Sequence, residues 1–260
     1  MSHLARRGMI ALTGAALWAG RAHAAPTHTI EGRAFASHWR VTVPDGTDLE
    51  KHRVAIDALL AQVDRQMSPW RDDIEITRFN TSVTETAISP ETATVARAAL
   101  ALAGDSGGWF DPTVGPLVAQ WGFGRISGAD VGHWQGLDVT GDSLRKDVPE
   151  LTLDLCGIAK GYALDRMAAM LLERGVEDFL IDLGGELKAA GLHPSGRDWQ
   201  VAVDDPRQAH DGAAVAVGPL GRDFGVAGAK LCLGRYGIWP YHRPASGPPC
   251  CGGGGLGTPG

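Results

Sequence analysis

Cysteine is scarce in this chain and falls into no pairing pattern. Of four in 260 residues, Cys156 lies inside a glycine-flanked motif, while Cys232, Cys250 and Cys251 crowd into the tail. With neither CxxC nor a zinc-type Cys/His spacing, a disulfide framework and a zinc module are both excluded. Basic excess is missing as well: 24 Lys and Arg stand against 30 Asp and Glu, a net charge of −6. Without a basic stripe or lysines interleaved with aromatics, the balance argues against a nucleic-acid partner. Past the N-terminal apolar run no segment qualifies as a transmembrane candidate. Internal repeats and interdomain linkers are also missing, so the chain reads as one large domain with room for a substantial core.

What the sequence does have is concentrated between Leu153 and Gly191. An acidic strand end, Leu153-Asp154-Leu155, runs into a glycine-flanked lysine, Gly157-Ile158-Ala159-Lys160-Gly161. A helix follows, then an apolar strand, Phe179-Leu180-Ile181, that stops at Asp182-Leu183-Gly184-Gly185. Glycines there let a ligand approach the backbone, and open amides at a helix start suit phosphate. Lys160 adds a mobile cation. The block is neither a GxxxxGK[ST] loop nor a GxGxxG fingerprint. Read from the residues alone, it is either a nucleotide site or an ordinary strand–turn–helix whose glycines serve only the turns.

Periodicity places the remaining elements. Thr47 to Met67 reads as a first long helix, with capping-box spacing at Thr47 and Glu50 and an apolar stripe of Leu49, Ile56, Leu60, Val63 and Met67. A second helix starts at Ser89-Pro90-Glu91 and ends near Gly104. A third starts around Lys160, carries Leu164, Met167, Leu171 and Leu172 on one side, and stops at Gly175. Strands are predicted at Arg40–Val43, Thr152–Leu155, Phe179–Ile181 and Gln200–Val203. Helices and strands alternate without βαβ repetition, which predicts an α+β fold: a single domain of mixed sheet and helices.

The N-terminus has the layout of an export signal: Arg6-Arg7, an apolar run from Gly8 to Gly20, and Ala22-His23-Ala24 before Ala25. Residues 1–24 are therefore expected to be a removable signal peptide, and the location periplasmic. The paired arginines suit a twin-arginine route and the rest an ordinary secretory one, and the sequence leaves both open. The domain itself is expected over residues 25–217, with residues 218–260 an aberrant Gly/Pro-rich tail.

Four segments in order carry a family resemblance. They are Met67-Ser68-Pro69-Trp70 with Glu75 to Asn80; Gly108 to Leu117 (GWFDPTVGPL) with Trp121-Gly122-Phe123-Gly124; the block from Leu153; and Trp199 to Val203 with Asp205-Pro206. Together they resemble the FAD:protein FMN transferases, the ApbE-like family. The resemblance implies an enzyme that splits the pyrophosphate of FAD, transfers FMN to a Thr or Ser hydroxyl of an exported or membrane electron-transfer protein, and releases AMP. It implies FAD as substrate, Mg²⁺ as cofactor, an acceptor protein with a flavinylation motif, and at most a peripheral association with a membrane. Residue by residue it implies that Met67 packs on the flavin and that Trp109, Phe110 and Asp111 line the FAD site. Asp154 would hydrogen-bond the cofactor, Lys160 would meet it near the phosphates, and the Gly157 carbonyl would supply one metal ligand. Asp165 and Asp182 fall in the signature without an assigned role.

Plainer readings stand beside these. Met67 ends an apolar helix stripe, Trp109 and Phe110 are good packing residues, and Thr113 suits a helix cap. Asp154 and Lys160 have the charges of a surface ion pair. His133 and His193 sit in loop-like stretches. Two further readings of the whole chain also remain: a periplasmic FAD-binding protein without transferase activity, and an FAD pyrophosphatase in which water replaces the acceptor.

The family's His-x-Ile-Asp-Pro and Ala-Asp-x-x-x-Thr motifs are not found in the tail, so the catalytic residue is left unassigned. Read one frame over, the codons of Trp239 to Pro248 can encode Gly-His-Thr-Ile-Asp-Pro-Arg-Ala-Gly-Arg. Tyr241 and His242 each force Thr or Ile in that frame. This leads to the expectation that a single-nucleotide indel after Val203 scrambled the tail, against the alternative of a Gly/Pro-rich tail with permissive codons. On that expectation the chain is a truncated copy with slow or absent transfer.

Overall fold

Alternation of apolar and polar residues builds the main sheet. In the computed structural model, which describes residues 26–129, 131–203, 213–217 and 224–225, the strands are Thr27–Ala34 (β1), Ser37–Pro44 (β2), Glu85–Ala87 (β3), Leu137–Thr140 (β4), Ser143–Lys146 (β5), Phe179–Leu183 (β6), Glu186–Ala190 (β7), Trp199–Val203 (β8), Ala213–Val217 (β9) and Phe224–Gly225 (β10). The helices are Arg53–Met67 (α1), Glu75–Thr81 (α2), Pro90–Asp105 (α3), Gly115–Gln120 (α4) and Cys156–Glu173 (α5). In β2, Trp39, Val41 and Val43 are buried while His38 and Arg40 face solvent. In β6, Phe179, Ile181 and Leu183 are buried in the same two-residue rhythm. These faces turn toward α1 and α5, whose apolar stripes complete one core.

The main sheet runs β1-β2-β6-β7-β10, a second sheet runs β3-β5-β4, and β8 pairs with β9. Every pairing is antiparallel. This is a single α+β domain, as the lack of βαβ repetition predicts. A small cluster of Ala189 and Trp199 covers the opposite face of the main sheet, and the Trp199 indole donates to the Ala190 carbonyl at 3.1 Å.

Three sequence expectations need correction. The first helix begins at Arg53, after a short 3₁₀ turn at Glu50–His52, and no side-chain cap forms there. Glu50 binds Arg53 at 2.7 Å instead of closing a box with Thr47. The third helix begins at Cys156, so Gly157 and Lys160 lie within α5 and not in a loop before it. Thr152–Leu155 is no strand; side-chain and loop bonds hold it, as described below. The second helix matches: Ser89 accepts from the Thr92 amide at 3.3 Å and Pro90 opens α3. The signal peptide, Asp205-Pro206, the three tail cysteines and residues 218–223 and 226–260 lie outside the described residues. No helix among the described residues is long and apolar enough to cross a membrane.

Candidate functional site

The N-terminus of α5 is held from two sides. Asn80, at the end of α2, donates from Nδ2 to the Leu153 carbonyl at 3.0 Å and accepts from the Leu153 amide at 2.8 Å. One side-chain amide thus does for residue 153 what a neighbouring strand would do. The Asp154 amide then donates to the Pro112 carbonyl at 2.7 Å. Lys146, almost fully buried, donates to the carbonyls of Leu151 and Asn80 at 3.0 and 3.3 Å and lies 5.0 Å from the Phe79 ring centroid. Burial lowers its pKa, with the Glu150 charge opposing.

The GWFDPT segment packs beside this start. A β-carbon on Gly157 would lie 3.2 Å from Phe110 Cε2, so the glycine leaves room for the ring. Asp111 Oδ1 accepts from the Thr113 amide at 2.8 Å and from its hydroxyl at 2.7 Å. The Thr113 hydroxyl accepts in turn from the Gly132 amide. Thr113 therefore ties a loop, and Val114 stands at the N-cap of α4. Asp154 accepts from the Cys156 amide at 2.8 Å, and Lys160 pairs with Glu186, so the two do not form the ion pair their charges allow.

The amides at the helix start are largely engaged. Asp154 takes that of Cys156, and the Leu155 carbonyl takes those of Ile158 and Ala159. The expectation of an open anion-binding turn is corrected accordingly, and Lys160 is the group at this end best placed to meet an anion. Its ammonium lies 3.1 Å from Glu186 Oε1. It rests near the Gly184-Gly185 turn, where φ is +60° and +89° and Asp182 accepts from the Gly185 amide. Asp165 pairs with Lys188, which gives a structural role to each of the two unassigned acids. Burial raises the Glu186 pKa, with Lys160 opposing. Cys156 is exposed as a residue, and local desolvation around the sulfur, followed by Asp154, pushes its thiol up, with Lys160 opposing.

A cavity of about 260 Å³ opens where α5 meets the end of α1 and the β1–β2 turn. Met67, Trp70, Phe35, Ala36, Cys156 and Lys160 contribute to its wall. Among the residues singled out from sequence, Met67 and Lys160 line it. Phe110, Asp111, Asp154 and Gly157 cluster beside the start of α5 without lining the cavity, and Trp109, partly exposed, does not line it either. Met67 is fully buried, so core packing and a pocket wall are the same position here. His133 and His193 lie in loops, and His193 bonds Ser195 at 2.8 Å.

Phe35 and Ala36 went unnoticed in the sequence. They form the two-residue turn between β1 and β2, with Ala34 paired to Ser37, and both adopt left-handed backbone at φ +51° and +56°. Such turns ordinarily use Asn-Gly, and each non-glycine residue there costs about 1–2 kcal/mol. Nothing in the letters Phe-Ala announces that conformation. Trp70 was legible as part of a matched segment; its 52% exposure beside a cavity is the signal of an aromatic held at a mouth.

The donor set near the start of α5 is poor in oxygen ligands for the implied Mg²⁺. Gly157 sits in the first turn of α5, and one carbonyl is far from the octahedral oxygen set this ion takes. Among the described residues no group of three or more His, Cys, Asp or Glu could hold a metal. The described residues do not fit the ion on their own.

Apolar and aromatic walls lead to one lysine, a lining whose chemistry suits a flat ring with an anionic tail. The ApbE family model matches residues 35–229, and the chain belongs to the ApbE family. It is 35% identical over 219 residues to the FAD:protein FMN transferase of Vibrio cholerae, covering 77% of this chain and 66% of that protein. With the Escherichia coli K12 protein of the same description it shares 28% over 232 residues, 80% of this chain and 66% of that one. The chain thus spans about two thirds of the length of these relatives. The solved flavin transferase ApbE of V. cholerae superposes with a TM-score of 0.70 at 31% identity, over 78% of this chain and 72% of that one. The Pseudomonas stutzeri flavinyl transferase ApbE, apo form, gives 0.67 at 31%, over 78% and 69%.

Proposed function

We propose that this chain binds FAD and transfers its FMN moiety to a Thr or Ser hydroxyl of an acceptor protein, releasing AMP. The observation that carries the reading is the juxtaposition of Phe35, Met67 and Trp70 with Lys160 around one cavity. At about 260 Å³ the cavity falls short of the ~300–1,000 Å³ that encloses drug-sized ligands. It suits a ring system, with the remainder of a dinucleotide extending outside. Trp70 and Phe35 offer faces for stacking, and Met67 offers a polarisable contact. Lys160 neutralises charge on the pyrophosphate, and positioning with charge neutralisation is the main demand of phosphoryl-type transfer.

The relatives described as FAD:protein FMN transferases support the same reading. Mg²⁺ dependence, an exported acceptor with a flavinylation motif and periplasmic location after removal of residues 1–24 remain parts of the proposal; a tail scrambled after Val203 goes with slow or absent transfer by this chain. The test is to mix the chain with FAD, Mg²⁺ and an exported electron-transfer subunit, following AMP by chromatography and the acceptor by intact mass. AMP release with acceptor modification supports transfer. FAD binding without AMP points to a binding protein, and AMP plus free FMN without acceptor points to a pyrophosphatase. Chelation with EDTA that leaves AMP release unchanged would remove the metal from the proposal.

A further inference from the structure

The Lys160–Glu186 pair is asymmetric: the lysine side chain is 35% exposed and lines the cavity, while Glu186 is 14% exposed and stands behind it. It bridges α5 and β7 on the sheet face that meets the helix, because Glu186 stands opposite Leu183 in the β6–β7 register. An ammonium has three donors, so Lys160 can reach a new acceptor before it leaves the old one. A phosphate brought to the same ammonium, however, sets a second anion within a few ångströms of a carboxylate largely shielded from water.

We propose that Glu186 is a positioning residue of this site. It holds Lys160 until a phosphate-bearing ligand arrives, hands the ammonium over, and takes up a proton as its counter-ion leaves. The proposal rests on the phosphate-binding role given to Lys160 above. The balance is simple: one proton moves from solvent to the Glu186 carboxylate, and Lys160 stays an ammonium throughout.

The surroundings of Glu186 support that direction. On α5 the charged groups facing β7 are Lys160 and Asp165, and Asp165 is matched by Lys188 on β7 itself. On β6 Asp182 is turned to the Gly185 amide. The described strands β9, Ala213–Val217, and β10, Phe224–Gly225, carry no titratable side chain. Among the described residues Lys160 is thus the charge that keeps Glu186 ionised against burial, and removing it favours protonation.

The experiment is isothermal titration of the full chain with FAD at mildly acidic pH, in two buffers of different ionisation enthalpy. The expected result is net proton uptake by the wild type, loss of that uptake in Glu186→Gln with FAD bound at least as tightly, and its return in Glu186→Asp. Buffer-independent heat in a wild type that binds FAD overturns the exchange alone. So does uptake that persists in Glu186→Gln, or weaker FAD binding by that variant. A wild type that binds no FAD overturns both the exchange and the proposed function.

Discussion

The two walls of the cavity are built on opposite principles. On one side, the start of α5 is well supported: Asn80, Pro112 and Asp154 satisfy the backbone leading into it, and Lys160 projects from the helix. On the other side, Phe35 and Ala36 hold a left-handed turn that neither residue favours, with Trp70 half-exposed beside them. The charge proposed to meet phosphate sits on the well-supported wall, and the surface proposed for ring contact on the strained one. Cation placement is set here by hydrogen bonds, and the surface offered to a ring by a conformation its neighbours keep in place, as strained residues at ligand sites commonly are.

Breaking the supported wall has the largest effect. Asn80→Ala leaves the amide and carbonyl of fully buried Leu153 without their partner, at about 1–3 kcal/mol each, so urea unfolding is expected to show a loss of about 3 kcal/mol. A change under about 1 kcal/mol would mean water or a shifted backbone replaces Asn80. Stripping the other wall acts on ligand and spares the fold. Trp70→Ala is expected to weaken FAD binding roughly three- to tenfold, read by flavin fluorescence, with unfolding nearly unchanged, because an aromatic pair contributes about 0.5–1.5 kcal/mol beyond burial.

Relaxing the strain sharpens the contrast from the opposite direction. Ala36→Gly should raise stability by about 0.5–1 kcal/mol, the left-handed penalty offset in part by a freer unfolded chain. Destabilisation on chemical denaturation would show that the alanine methyl packs more than its backbone strains. The smallest effect concerns the far end of the α1–α5 pair, where His52 meets Arg174. His52, buried at the start of α1, has its pKa lowered, chiefly by burial and then by Lys51 and Arg174. A depressed folded pKa means the neutral form is favoured, so its contribution is present above the unfolded value near 6.5 and is lost as pH falls below it. A urea midpoint that declines from pH 7 to pH 5.5, and declines less in His52→Asn, is the expected sign.

How far the sequence could be read follows the same division. The α1 stripe, the Ser89-Pro90 start of α3, the β2 and β6 alternation and the block from Leu153 were all visible, because periodicity, caps and glycine report on local physics. The strand expected at Thr152–Leu155 has one reason for its absence. Asn80 supplies strand-like bonds to Leu153 from 73 residues away, and no local pattern encodes a side chain that substitutes for a strand. Gly157 was legible as a glycine that lets a ligand near the backbone, but not as the clearance that the Phe110 ring also needs there. Lys160 was found as a cation but not with its partner, since Glu186 lies across a helix and a strand. The left-handed Phe35-Ala36 turn was unreadable because the usual asparagine and glycine are absent.

The two ion pairs between α5 and β7 behave together like the notches of a vernier. Lys160 and Asp165 are five helical residues apart, about 7.5 Å along the axis, and Glu186 and Lys188 are two strand residues apart, about 6.8 Å, so the scales coincide at both marks. Slide β7 by one residue and both charges turn to the far face of the sheet; slide it by two and like charges meet. The alignment of helix and strand is therefore written in four side chains, and a ligand that borrows Lys160 erases one of the two marks while it is bound.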